Sequence, residues 1–164
     1  MKTIRIEDKT EMESIIRSCS ICMAAVNSPN GFPYLFPMNF AYSDGKIILH
    51  SAPEGTHLTH LQADNRITVS FCTDGKIVYQ HRDVACSYRM DSKSVICKGR
   101  VRFVDDIAEK ENILNSFMAH YTGNDFRYSQ PALRNVKVWL VDIEEMTARA
   151  FGQPHKPTGK APAM

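Results

Sequence analysis

The chain has 164 residues, of which 43% are hydrophobic and 23% charged, proportions typical of one soluble globular domain. They exclude intrinsic disorder and collagen-like repeats. The formal net charge of +2 is too small for a nucleic-acid-binding surface, no apolar run is long enough to span a membrane, and the charged N-terminus does not resemble a signal peptide. We therefore expect a cytoplasmic protein without nucleic-acid or membrane partners.

The first part of the chain predicts a helix followed by a long strand. Thr10-Glu11-Met12-Glu13 has the spacing of a capping box and opens the helix. From Phe32 to Tyr42 every even position is apolar or aromatic, a period of two that only a strand uses. Pro33 and Pro37 lie on the opposite face. Since proline cannot donate to a ladder, this strand is predicted to be at an edge, bulged, or interrupted near Pro37.

The five cysteines predict neither a disulfide framework nor a zinc site. Their number is odd and their spacing is irregular. Cys19 and Cys22 have the spacing of a redox or zinc pair, but no second close pair completes a zinc site, and the run Ile21–Val26 that follows Ser20 reads as a strand. We interpret the cysteines as small, half-buried apolar residues.

Two Asp-Gly pairs predict hairpin turns. Asp44-Gly45 supplies the positive φ angles of a type I′ turn and leads into a strand at residues 47–50. A short helix with Leu58 and Leu61 comes next, and then a strand with Ile67, Val69 and Phe71 alternating. Asp74-Gly75 predicts a second hairpin, from this strand into residues 77–79.

The second half of the chain predicts two more strands around a helix. Ser94–Val104 reads as a long strand, with Gly99 at a bulge or a point of close approach. Capping-box spacing at Asp106–Glu109 opens the helix. A last strand, Val136–Ile143, precedes a Gly- and Pro-rich tail at residues 152–164, for which we predict no structure of its own. About six strands and three helices therefore predict a mainly β domain over residues 1–151, an antiparallel barrel or sandwich with flanking helices.

The segment from His50 to Leu61 has the richest chemistry. A strand ends there, and a glycine-containing turn leads into a helix whose start carries Thr56 and His57. Free N–H groups and the positive end of the helix dipole make such a start a phosphate site. The alternative is that Ser51 and Glu54 form an ordinary capping box.

Other kinds of site are less well supported by the sequence. Glu54, His57 and His60 are each three residues apart, and steps of three drift around a helix, so Glu54 and His60 would lie well apart on its surface. The remaining pair, His57 and His60, lacks a third convergent metal ligand. Neither a nucleophile elbow nor a glycine-rich nucleotide-binding loop is present. We therefore predict no metal site and no hydrolase triad.

Three segments resemble the FMN-binding split-barrel superfamily, in its branch of nitroimidazole-resistance proteins related to pyridoxamine 5′-phosphate oxidase. They are Pro33–Phe40, the hairpin Asp44–Ala52 with the turn Gly55–Leu58, and Ser94–Gly99. In the family these correspond to a PYxxP strand, a DGxIYxHSA hairpin with a GxK turn, and an SVxxxG strand. The resemblance covers roughly residues 3–150 and implies a six-stranded antiparallel split β-barrel. It also implies a homodimer with two FMN molecules in clefts between the subunits.

The resemblance also implies which residues contact the cofactor. One strand would run along the isoalloxazine ring with Tyr34, Leu35, Phe36, Pro37, Met38 and Asn39. The ribityl chain and phosphate would lie beside Leu49, His50, Ser51, Thr56 and His57. Ser94 would reach the ring from the other subunit. Trp139 is a further interface candidate, with core packing as its alternative.

One position departs from the family pattern, because His57 stands where the family usually has a phosphate-binding lysine. Imidazole is mostly neutral at pH 7 unless a phosphate raises its pKa, so we expect weaker or more pH-dependent phosphate binding. The implied function is an FMN-dependent oxidoreductase acting on a small, nitroaromatic substrate. His50 is the candidate catalytic group that binds or protonates this substrate, with a structural or interfacial role as its alternative. A non-catalytic flavin- or haem-binding protein and an interaction domain without a cofactor are the other hypotheses.

Overall fold

The structure, a computed structural model, describes residues 2–154 and is mainly β. Over these residues the strands are β1 Lys2–Ile6, β2 Cys22–Val26, β3 Tyr34–Met38, β4 Ala41–Ser43, β5 Lys46–Ser51, β6 Arg66–Cys72, β7 Lys76–Val78, β8 Arg89–Val104 and β9 Lys137–Gln153. The helices are α1 Lys9–Ser18, α2 Thr56–Ala63, α3 Ile107–Thr122 and α4 Gln130–Arg134, with a 3-10 turn at Ala85–Ser87.

One antiparallel sheet contains the long strands, in the order β3-β2-β6-β8-β9-β5-β4. β1 pairs with the far end of β9, and β7 pairs with the start of β8. The sheet curls around a core, and its two edge strands, β3 and β4, are consecutive in the chain. This arrangement confirms the predicted split barrel with flanking helices.

The curled sheet separates two hydrophobic cores. The inner core lies inside the barrel and includes Leu49 and Trp139, while the outer core lies between the sheet and the helices α3 and α4. The outer core contains Ile48, Val138, Phe117 and the fully buried Leu133. Because successive side chains of a strand point to opposite faces, β5 and β9 contribute alternately to the two cores.

The strand predicted from Phe32 to Tyr42 is divided into two. β3 ends at Met38, directly after Pro37, and β4 begins at Ala41. β3 also forms an edge of the sheet, where the lack of an N–H group in Pro37 costs no ladder bond on the open side. The predicted interruption near Pro37 and the predicted edge position are therefore both confirmed.

The two Asp-Gly turns have different outcomes. Asp44 and Gly45 both have positive φ, 52° and 75°, which confirms the type I′ turn between β4 and β5. The second prediction is wrong, because β7 does not pair with β6. Both sides of β6 are already occupied, by β2 and by β8, and β7 instead pairs with residues 89–91 of β8.

The two longest strands extend beyond their predicted ends. β8 and β9 have 16 and 17 residues and pair along most of that length. The added part of β9 buries only small side chains, Ala148 and Ala150, so its alternation is weak in the sequence. The ladder shifts register at Gly99, where a Cβ would overlap the carbonyl group of Asp142, which confirms the predicted bulge and close approach.

The ends of the domain also differ from the sequence prediction. β1 and α4 were not predicted, because β1 buries only Ile6 and α4 is a single short turn of five residues. Gly152 and Gln153, predicted to begin the tail, belong to β9, and Gln153 pairs with Lys2. Residues 155–164 of the predicted tail lie outside the described residues. No helix within residues 2–154 is long and apolar enough to cross a membrane.

Candidate functional site

The start of α2 lacks a side-chain cap. Its N-cap is Gly55, and the first helical bonds run from the amides of Leu58 and Thr59 to the Gly55 carbonyl, at 3.0 and 3.2 Å. In the described part of the chain no group accepts from the amides of Thr56 and His57, and no acidic residue lies in the first turn. This helix end therefore presents free donors and the positive end of its dipole, the features that bind phosphate.

The capping-box alternative for this segment is wrong. Ser51 donates its hydroxyl to the carbonyl of the next residue, Ala52, at 2.8 Å, and not to the helix. Glu54 precedes the N-cap and is exposed, so its carboxylate does not occupy the helix start. Gly55 has a φ of 152°, which favours glycine, and it sets the turn from β5 into α2.

Five aromatic side chains lie together beside this helix start and form what we call the aromatic cluster: Tyr34, Phe36, His57, His60 and Trp139. The His57 ring stacks on Trp139 with 5.2 Å between centroids, and Phe36 lies 5.3 Å from His57. Tyr34 lies 5.4 Å from Phe36 and 5.5 Å from His60. The edge strand β3, the first two turns of α2 and the start of β9 thus converge on one place.

Three ring nitrogens of the aromatic cluster are buried without a hydrogen-bond partner. They are Nε2 of His57, Nδ1 of His60 and Nε1 of Trp139. Buried polar groups are nearly always hydrogen-bonded, and leaving one unpaired costs about 1–3 kcal/mol. Three such atoms in contacting rings therefore mark this cluster as a place where a ligand's polar groups would be stabilised.

Burial also decides the charge of His57. Desolvation lowers the pKa of His57 below its usual value, so the imidazole of the free protein is neutral at pH 7. A bound anion beside the ring would act in the opposite direction and raise that pKa. The His57 ring is thus an uncharged hydrogen-bond donor or acceptor in the free protein.

The site is open on the side of β3. Leu35 is 60% exposed and Tyr34 38% exposed, and β3 pairs only with β2, so backbone groups along its other side are free. Leu35 and Pro37 face away from the inner core, whereas Phe36 and Met38 pack against it. The β3 side of the site is therefore open to solvent in the single chain.

The other predicted site residues differ in how near they lie to the aromatic cluster. Asn39 is exposed in the break between β3 and β4. Leu49 is fully buried next to Trp139 in the inner core, so only its backbone is available to a ligand. Ser51 ends β5. Ser94 lies on β8, which is separated from β3 by two strands, and its side chain is on the outer face.

His50 lies on the opposite face of the sheet from the aromatic cluster. It is paired with Val138 of the outer core, and its ring packs edge-on against Phe117 of α3, with 4.5 Å between centroids. The structure therefore does not bring the candidate catalytic histidine together with His57 and Trp139.

One member of the cluster was considered in the sequence only as a metal ligand. His60 lies three residues after His57, so both rings project from neighbouring positions of α2. This spacing, together with the aromatic strand predicted from Phe32 to Tyr42, was the sequence signal that could have placed His60 at the site. Across residues 2–154 no group of three His, Cys, Asp or Glu side chains is arranged to hold a metal ion.

The fold and the comparisons place the chain in a known class and family. A curled antiparallel sheet with open edges and flanking helices is the split-barrel architecture. The family model for pyridoxamine 5′-phosphate oxidase matches residues 8–150. The chain belongs to this family.

Solved structures support the same assignment. The chain resembles a candidate 5-nitroimidazole antibiotic resistance protein from Bacteroides thetaiotaomicron, with 45% identity and a TM-score of 0.85 over 92% of this chain and 88% of that one. The FAD and heme binding protein from Mycobacterium smegmatis has a TM-score of 0.79 at 13% identity, covering 94% of this chain and 76% of its own. A FAD-binding protein from Mesorhizobium loti has a TM-score of 0.66 at 21% identity, covering 92% and 99%. The last two likenesses concern the fold alone. No curated protein matches the chain.

Proposed function

We propose that this protein binds FMN at the aromatic cluster and the start of α2, and that it is an oxidoreductase acting on a small nitroaromatic compound. The observation that carries the proposal is the set of three buried, unpartnered ring nitrogens beside an uncapped helix start. The solved structure with 45% identity, whose description names 5-nitroimidazole resistance, supports the choice of substrate class.

The residues present fit the two ends of FMN. The free amides of Thr56 and His57 suit a phosphate, which accepts hydrogen bonds and carries negative charge. The rings of Tyr34, Phe36 and Trp139 suit a planar, largely apolar ring system, and the ring nitrogens of the cluster suit its polar atoms. A phosphate next to the helix start favours FMN over a flavin that lacks this group.

Bound FMN would supply the transfer of hydride or electrons. The chain would hold and orient it, with the α2 start at the phosphate and the aromatic cluster at the ring. The rings would also exclude water from one side of the cofactor. The side chain of His50 lies on the outer face of β5, so His50 has no role in this proposed site.

We further propose a homodimer, because the outer face of the sheet next to the site exposes several large apolar side chains. The outer face of the sheet exposes Leu35 on β3, Met23 on β2 and Ile96 on β8. The register places Met23 and Ile96 on either side of Ser70 of the intervening strand β6. Ser94 is on the same face, two residues from Ile96, so a second copy seated here would approach Ser94 as well. Exposed apolar side chains on one face of a sheet are typical of an interface between subunits.

The dimer proposal is tested by charge placed on that face. Ile96→Glu should give a monomer by size-exclusion chromatography with light scattering, because a buried unpaired carboxylate opposes association. Ile4→Glu is the matched control, since Ile4 is 46% exposed on β1 and shares the face of Ile6, which packs in the inner core. A wild-type protein that is monomeric, or an Ile96→Glu variant that remains dimeric, would contradict the proposal.

The cofactor proposal is tested by an absorbance spectrum of the purified protein with and without added FMN. We expect flavin bands that remain with the protein after gel filtration, and loss of a nitroaromatic compound when NAD(P)H is added. A bound flavin without any turnover would instead favour a carrier. A Soret band on addition of haem, with no flavin bound, would favour haem binding, for which the free imidazole nitrogens of His57 and His60 are possible ligands.

A further inference from the structure

A second cavity lies between β5 and the helices α3 and α4. Its volume is about 200 Å³, and apolar side chains form most of its wall: Leu114, Phe117, Met118, Ala132 and Val136. Two polar side chains complete it, His50 from β5 and Tyr128 from the segment before α4. The cavity is on the outer face of the sheet, whereas the aromatic cluster is on the inner face.

Both polar side chains have a buried atom without a partner. Nδ1 of His50 and the hydroxyl oxygen of Tyr128 are each shielded from solvent and make no hydrogen bond with any described residue. The two atoms belong to different elements, and both residues line the same cavity. Two unpaired polar atoms in one otherwise apolar cavity are the arrangement that orients a small ligand.

The surroundings keep both groups uncharged. Burial lowers the pKa of His50 and raises the pKa of Tyr128, the latter with a smaller contribution from Glu111. Near pH 7 the cavity therefore offers a neutral imidazole and a phenolic hydroxyl. A charged ligand would have to lose its hydration here without an opposite charge to compensate.

The size of the cavity limits the ligand further. An apolar protein cavity of about 150 Å³ can hold benzene, so the cavity described here has room for one ring with a small substituent. The edge-on packing of His50 against Phe117, at 88° between the rings, fixes the imidazole in place rather than letting it fill the space.

We propose that this cavity binds a neutral, monocyclic molecule with one hydroxyl group, of the chemical class of phenol. A hydroxyl can accept a hydrogen bond from Tyr128 and donate one to Nδ1 of His50, which are the two hydrogen bonds that the cavity lacks. The ring fills the apolar part of the cavity. This site is independent of the proposed flavin site and does not require FMN.

The proposal is tested by titrating phenol into the full chain, with and without FMN, while carbon-13-labelled methionine methyl groups are observed by NMR. Met118 lines the cavity, and the chain has only eight methionines, so a Met118→Leu variant assigns its signal. We expect a saturable shift of the Met118 signal with phenol, a weaker effect with toluene, which lacks the hydroxyl, and none with benzoate, which is charged.

Two variants separate recognition from general binding to apolar surface. Tyr128→Phe should weaken phenol binding about three- to tenfold, the effect of one hydrogen bond, without weakening toluene binding. Tyr79→Phe is the matched control because Tyr79 is exposed and distant in the fold. Ala132→Leu should fill the cavity and abolish the shift for both compounds.

The outcomes that overturn the proposal are equally specific. They are the absence of a saturable Met118 shift up to the solubility of phenol, equal affinity for phenol and toluene, or unchanged phenol affinity in a folded Tyr128→Phe protein. Because the titration is made with and without FMN, failure of flavin binding alone leaves the result for this cavity intact.

Discussion

Leu49 and His50 are neighbours in β5, yet their side chains serve different parts of the molecule. Leu49 is next to Trp139 in the inner core, on the face that carries the aromatic cluster. His50 is next to Val138 and faces α3, on the face that carries the second cavity. Since alternate residues of a strand point to opposite faces, one sequence motif here contributes to two sites.

The two sites also differ in how they are closed. The aromatic cluster is bounded by the edge strand β3, whose Leu35 and Tyr34 remain exposed. The cavity at His50 lies between β5 and the helices α3 and α4 and has a volume of about 200 Å³. An open edge can accommodate a large planar group, whereas the small volume of the cavity limits the size of its ligand. The predictions below test this division between the faces of β5 and β9.

The largest effect is expected from Trp139→Ala on the inner face. Trp139 is fully buried and contacts Phe36, His57 and Phe103. Removing a buried tryptophan side chain leaves a cavity, so the free energy of unfolding should fall by about 3–5 kcal/mol in urea titrations. FMN affinity should fall as well, because the His57 ring loses the surface on which it stacks.

The neighbouring residue on the outer face is the control for this variant. Val138→Ala removes only two methyl groups from the outer core, so its loss of stability should be well below that of Trp139→Ala, and FMN affinity should be unchanged. If Val138→Ala weakened FMN binding as much as Trp139→Ala does, the division between the two faces would be wrong.

The next effect is expected from Gly55→Ala at the start of α2. The φ of Gly55 is 152°, and a Cβ there would lie 2.7 Å from Cε1 of His57. The substitution should therefore both strain the backbone, at about 1–3 kcal/mol, and push the His57 ring off Trp139. We expect the free energy of unfolding to fall and FMN affinity, measured by fluorescence quenching, to drop about tenfold, the equivalent of one hydrogen bond.

Gly45→Ala separates backbone strain from displacement of His57. Gly45 has a φ of 75° in the turn between β4 and β5, and no atom lies within 4 Å of a Cβ built there. This variant should lose stability through strain alone and bind FMN as the wild type does. Equal losses of FMN affinity in Gly55→Ala and Gly45→Ala would show that displacement of the His57 ring does not cause the loss.

Patterns within single elements were sufficient to predict most of the fold. The alternation from Phe32 to Tyr42, the Asp44-Gly45 turn and the position of Gly99 each depend on local backbone chemistry, and the structure confirms them. The pairing of β7 with β8 could not be predicted in this way. It depends on which strand sides are already occupied, and that is a property of the whole sheet.

The candidate site was predictable in part for the same reason. The helix start at Thr56 and His57 follows from one turn and was found in the sequence. The contact between His57 and Trp139 joins residues that are far apart in the chain, so no local pattern indicates it. Tyr128 carries no sequence signal either, because its role arises only where α3 and α4 close over His50.

A smaller effect concerns the pH dependence of FMN binding through His57. Burial lowers the pKa of His57 in the free protein, and a bound phosphate would raise it, so binding takes up a proton. FMN affinity should therefore be higher at pH 6 than at pH 8.5, when measured by titration of fluorescence. Riboflavin, which lacks the phosphate, should show no such difference.

His57→Lys is the matched variant for that measurement. A lysine stays protonated over this range, so the variant should bind FMN more tightly at pH 8.5 and lose most of the pH dependence. Equal FMN affinities at the two pH values in the wild type, with no change in His57→Lys, would contradict a role of His57 at the phosphate.

The smallest effect is expected for the contribution of His50 to the pH dependence of stability in the ligand-free protein. Because burial lowers its pKa in the folded state, the unfolded chain binds a proton more readily, and stability is lost as the pH falls through the unfolded value of about 6.5. His50→Gln should therefore reduce the difference in melting temperature between pH 7 and pH 5. His81→Gln is the control, since His81 is exposed, and it should leave that difference unchanged. An unchanged difference in His50→Gln would mean that the imidazole is solvated when it is charged, and the outer cavity would then not keep His50 neutral.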